Sequence, residues 1–142
     1  MLAQPINFSM ESLAMRVVCY LADSEDPGQR LRELLGAALP RDRVLLCQTL
    51  EELTRCLLQP AQDLSAAVLL AHNREQLNAL LTLRNLLRDI RVILILPDRE
   101  ASTVAQGHTL RPRLLTYADA DFTPVVGAVL QKINGGLGGD NK

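Results

Sequence analysis

A parallel α/β sheet with helices on both faces is the fold class that this 142-residue chain predicts, and three observations carry it. Five short apolar runs, Arg16 to Ala22, Arg43 to Cys47, Ala66 to Ala71, Arg91 to Leu96 and Arg113 to Tyr117, start 22 to 27 residues apart. One strand, one helix and two short loops take up roughly 30 residues, so the spacing fits a repeated strand and helix. Most of the runs are continuous rather than alternating, as in strands covered on both faces. The segments between them carry helical periodicity, capping residues or both.

The first helix is expected from Asp26, with Pro27 suited to the opening turn, Leu31, Leu34, Leu35, Ala38 and Leu39 on one stripe, and Pro40 as its stop. The second opens with Thr49-Leu50-Glu51-Glu52, a capping box, and continues through Leu53, Leu57 and Leu58 to Pro60. The third is expected from Asn73 to about Arg88. Its apolar residues Leu77, Leu80, Leu81, Leu83, Leu86, Leu87 and Ile90 exceed one stripe, which suggests a surface left over for contact. The fourth, after Pro97-Asp98, offers only Ala101, Val104 and Ala105 before Gly107 and is expected to be short and loosely packed. The fifth is expected from Asp121, with Phe122, Val125, Val126, Val129, Leu130 and Ile133 in the clearest helical period of the chain. Right-handed crossovers of this length give a flavodoxin-like three-layer sandwich with strand order 2-1-3-4-5.

Residues 1–14 read as a flexible arm and 134–142 as a glycine-rich tail, leaving a single domain over 15–133. The apolar fraction of 48% is dominated by 29 leucines, against two Phe, two Tyr and no Trp. With so few rings and a net charge of −1, neither a stacking platform nor a basic footprint for nucleic acid is expected. Thirteen arginines scatter through the chain, with a mild concentration at Arg84, Arg88, Arg91, Arg111 and Arg113. Cys19, Cys47 and Cys56 lack CxxC spacing and read as buried free thiols of a reducing cytoplasm, with Cys19 and Cys47 on neighbouring strands. No secretory pattern precedes Arg16 and no apolar run could span a bilayer, so a cytoplasmic protein without a membrane role is expected.

Over about residues 16 to 133 the chain resembles the response-regulator receiver domain, the phospho-accepting module of two-component signalling. The resemblance is carried by Arg16-Val17-Val18-Cys19-Tyr20-Leu21 with acids following, by Asp63-Leu64 ahead of Ala67-Val68-Leu69-Leu70, by Arg91 to Leu96, and by Asp121-Phe122 before the last helix. It implies an acidic pair after the first strand for Mg²⁺, an aspartate nucleophile ending the third, a hydroxyl after the fourth and a lysine after the fifth. The nucleophile's position falls on Ala71, or on His72 if the register slips, and no aspartate occurs between Asp63 and Asp89. The hydroxyl's position falls on Leu96 or Pro97. The two lysines, Lys132 and Lys142, come too late in the chain to reach the rim.

Asp23, Glu25 and Asp26 stand near the place of the metal-binding acids. They could attract a cation, but the favoured reading is that Ser24 or Asp26 caps the helix and the other acids sit at its positive end, which explains each acid without a metal. His72 could be a ligand, a base or a phosphoacceptor; its default is a loop histidine before the Asn73 cap. No nucleotide, flavin or hydrolase motif occurs, so no cofactor and no enzymatic activity are expected. The expectation is a degenerate pseudo-receiver that regulates a protein partner or pairs with itself without phosphorylation. By resemblance its contact face would include Val104, Thr116, Tyr117, Val125 and Val129, with the leucine-rich third helix as a second face. The alternative is a sensor that binds a small molecule in the rim pocket at the carboxyl ends of the strands.

Overall fold

The computed structural model describes residues 16–21, 26–40, 43–59 and 64–138. The expected arm 1–14, Asp23, Glu25 and residues 139–142 lie outside them. In chain order the elements are β1 (Arg16–Leu21), α1 (Asp26–Ala38), β2 (Val44–Cys47), α2 (Leu50–Leu58), β3 (Leu64–Leu70), α3 (Arg74–Leu81), β4 (Arg91–Leu96), α4 (Ala101–His108), β5 (Leu114–Tyr117) and α5 (Thr123–Gly138). All strand pairs are parallel and the sheet order is β2-β1-β3-β4-β5, the flavodoxin-like layout.

The apolar runs are continuous because successive side chains enter different layers. Val17, Cys19, Leu21, Val68, Leu70, Ile93 and Ile95 face α1 and α5, where Leu31, Leu35, Phe122, Val125 and Val129 meet them. Val18, Tyr20, Ala67, Leu69, Val92, Leu94 and Leu96 face the other side, against Leu53, Leu77, Leu80, Leu83 and Leu87. Each buried leucine or isoleucine contributes roughly 1.5 to 3 kcal/mol, so two such layers stabilise the domain without a staple.

Four expectations about helices need correction. Leu34 is 40% exposed, so the buried stripe of α1 is Leu31, Leu35 and Leu39. The third helix ends at Leu81 rather than near Arg88, and the amides of Thr82, Leu83, Arg84, Leu86 and Ile90 then bond three residues back. Leu77, Leu80 and Leu83 recur every three residues, and only a tightened three-residue turn keeps Leu83 pointing inward beneath them. The buried face of α4 is Thr103 and Gly107, while Ala101 and Ala105 are exposed. A Cβ on Gly107 would stand 3.1 Å from both Leu94 Cδ2 and Leu96 Cδ2, so the helix lies close on β4 rather than packing loosely, and a larger residue would have to push these side chains aside by a few tenths of an ångström. Finally, α5 starts at Thr123 with Asp121 as its cap and continues to Gly138, beyond the expected domain end at 133.

Candidate functional site

The carboxyl ends of the strands form one rim, and the receiver chemistry implied by the resemblance would have to assemble there. At the end of β3, the Ala71 amide continues the sheet ladder to the Ile95 carbonyl at 2.9 Å, and its methyl group is fully buried. A side chain at that position points into the core rather than at solvent. His72 is half-buried, and its amide donates to Gln76 Oε1 at 2.7 Å while the Gln76 amide donates to Asn73 Oδ1 at 2.8 Å. The pattern repeats at α2, where the Glu52 amide donates to Thr49 Oγ1 at 3.1 Å and Glu52 Oε1 accepts from the Gln48 amide at 2.8 Å. In both cases the returning side chain reaches the residue before the cap, so the backbone of His72 belongs to a helix start.

Leu96, at the end of β4, is buried, and the chain turns through Pro97 to Asp98. Asp98 Oδ1 accepts from the Glu100 amide at 2.9 Å and supplies the polar cap that Glu100 itself does not give α4. That amide, the neighbouring Thr103 hydroxyl and the Arg74 charge hold the Asp98 carboxyl below its ordinary value. After β5, Asp119 binds the Arg99 guanidinium at 2.8 Å and is lowered by it. Asp121 accepts from both the amide and the hydroxyl of Thr123, at 3.0 and 2.9 Å, and is lowered chiefly by that amide.

Arginines close this rim, and the sequence did not single them out. Arg30 reaches from α1 to donate to the Ala118 carbonyl at 2.9 Å, with its guanidinium 4.7 Å from the Phe122 ring centre. Arg99 lies 4.3 Å from the Tyr117 ring centre while it holds Asp119. Arg74 stands 3.8 Å from Glu100. Each guanidinium thus meets a carbonyl, a carboxylate or a ring contributed by another element. The nearest signal in the sequence was the Tyr117, Asp119 and Asp121 alternation beside arginines of unassigned role.

Among the described residues no group of three or more His, Cys, Asp or Glu side chains is placed to hold a metal ion. Asp26 is exposed at the first residue of α1; Asp23 and Glu25 lie outside the described residues. Of the expected contact face, Val104, Thr116 and Tyr117 are half-buried on α4 and the edge strand β5. Val125 and Val129 are fully buried against the sheet, so they leave that face: their helical period points into the core. Of the apolar residues expected on the third helix, Leu77, Leu80, Leu83 and Leu87 are buried in the second core layer, while Leu81, Leu86 and Ile90 are half-buried beside it.

Cys19 and Cys47 are buried free thiols on the neighbouring strands β1 and β2, as expected, whereas Cys56 is only partly buried. Cys19 pairs in register with Leu46, and Cys47 with Tyr20, so Cys19 and Cys47 enter opposite core layers. Burial pushes the Cys19 thiol up to about 12. Cys47 instead meets Cys56 of α2, with the two sulfurs 3.6 Å apart.

No protein-family pattern matches the chain, and no curated protein sequence matches it. Among solved structures, a chain from Burkholderia pseudomallei described as pilus assembly-related has a similar fold, with a TM-score of 0.59 and 15% sequence identity. The match covers 87% of this chain and 92% of that one. Among the described residues no helix is long and apolar enough to cross a membrane.

Proposed function

We propose that the chain is a non-catalytic, receiver-like interaction module that works without phosphorylation. The observation that carries this reading is Ala71: a fully buried methyl group stands where the resemblance would put the phospho-accepting carboxylate. The rim around it supports the same conclusion. Asp98 and Asp121 are engaged by helix amides, Asp119 by Arg99, and Arg30 by the Ala118 carbonyl. Among the described residues, a phosphoryl group arriving there finds no carboxylate at the Ala71 position and must displace existing partners of Arg30 and Arg99. The same self-saturation weighs against a metabolite sensor at the rim.

The contact face that remains is α4 with β5, presenting Val104, Thr116 and Tyr117, the last covered by Arg99. The association of the Burkholderia chain with pilus assembly makes assembly proteins the first partners to try in capture experiments.

Incubation with acetyl phosphate and Mg²⁺ is expected to leave the intact mass unchanged; a stable added phosphoryl group overturns the proposal. Light scattering and pull-down are expected to reveal a dimer or a captured partner that Tyr117→Ala weakens at least tenfold while the circular dichroism is kept. A strictly monomeric protein that captures nothing, yet melts at a higher temperature with a metabolite, would favour the sensor instead.

A further inference from the structure

Cys47 closes the edge strand β2, and Cys56 lies one turn from the end of α2. Their sulfurs are in van der Waals contact at 3.6 Å, and no other cysteine shares their layer of the core. Cys47 is 2% exposed, whereas Cys56 is only partly buried. The helix that carries Cys56 has a single fully buried side chain, Leu53, while Leu50, Cys56 and Leu57 are half-buried against the same core layer. A disulfide requires the sulfurs to close to about 2.05 Å, a movement of the size that side-chain rotation and a small helix shift supply.

We propose that Cys47 and Cys56 form a redox-responsive dithiol, which a small-molecule disulfide such as oxidised glutathione converts to an internal disulfide. The Cys56 thiolate, the less buried of the two, attacks one sulfur of glutathione disulfide, and the first glutathione leaves as a thiolate. The Cys47 sulfur then attacks Cys56, the mixed disulfide breaks, and the second glutathione leaves. The protein loses two electrons and two protons, and one glutathione disulfide becomes two glutathione thiols, so the exchange balances. Division of labour follows from burial. Desolvation, with Cys56 and Glu52 adding, pushes the Cys47 thiol up to about 12, so it reacts poorly with external oxidants. Contact with Cys56 supplies the proximity that its low thiolate fraction lacks. The product would pin α2 to the end of β2 across the Gln48-Thr49 cap.

The experiment exposes the reduced, full-length chain to glutathione buffers of increasing oxidation, blocks free thiols, and measures intact mass and linked peptides. The expected result is loss of two hydrogens, a Cys47 to Cys56 cross-link, and one blockable thiol, that of Cys19. Cys56→Ser is expected to abolish the link and to acquire no lasting glutathione. Cys47→Ser is expected to stop at one glutathione on Cys56. Should Cys47→Ser fail to fold, the wild-type map and Cys56→Ser decide the matter. Persistence of glutathione on wild-type Cys56, a link that includes Cys19, or three thiols still free at full oxidation overturns the proposal.

Discussion

Gly107 shows how much one missing side chain can decide. In the sequence it looks like the residue that breaks a weak helix, but in the fold it is the surface through which α4 rests on Leu94 and Leu96. Both leucines are fully buried, so they have little room to move aside. Gly107→Val should therefore cost about 2 kcal/mol through overpacking, even though leaving glycine favours the helix by up to about 1 kcal/mol. Urea unfolding of the variant measures it, and an unchanged midpoint would mean the leucines repack freely. Arg111, a few residues on, has φ 54, the left-handed conformation that glycine adopts more easily, and the chain needs it to turn from α4 through Pro112 into β5. Neither position announces itself by hydrophobicity, and periodicity therefore misses both.

Among the elements, α2 and α3 begin with the same reciprocal arrangement, but only the first was legible in advance. Thr49 and Glu52 form a familiar spacing of hydroxyl and carboxylate, whereas Asn73 and Gln76 achieve the same geometry with two amides. Thr49→Ala removes the acceptor for the Glu52 amide and should lower stability by about 1 kcal/mol in a chemical denaturation curve. The loss should be partial, because Glu52 still accepts from Gln48. The buried face was readable where apolar spacing averaged 3.6 residues, as at Phe122, Val125 and Val129, and the helix extent was misleading where spacing fell to three, as from Leu77 to Leu83. Such spacing does not distinguish a longer α-helix from a tightened turn, since only packing against the sheet selects between them.

For the molecule as a whole, strand order and layering were readable because continuous apolar runs at regular intervals admit few topologies. The rim was less so: the sequence puts Ala71 where the resemblance implies a nucleophile, but the pairings of Arg30, Arg74 and Arg99 depend on contacts between distant segments. The helix amides at Asp98 and Asp121 and the Arg99 pair at Asp119 leave a mark on pH dependence. Asp98, Asp119 and Asp121 all sit below the ordinary carboxylate value of 3.8 in the folded chain. Groups lowered in this way stabilise the fold fully above their unfolded value, and that contribution disappears as pH falls through the folded values. The melting temperature should therefore decline below about pH 4. Asp119→Asn should flatten that decline, and thermal melts between about pH 2 and 6 test it; an unaltered acid limb would show that the Arg99 pair contributes nothing.

The two outermost strands, β2 and β5, have four residues each, whereas the three inside them have six or seven. An edge this short presents few unpaired amides and carbonyls as a template for a foreign strand. The sheet is thereby protected from growing by strand addition into aggregates, and any assembly this protein joins must be built through side chains on its flanks.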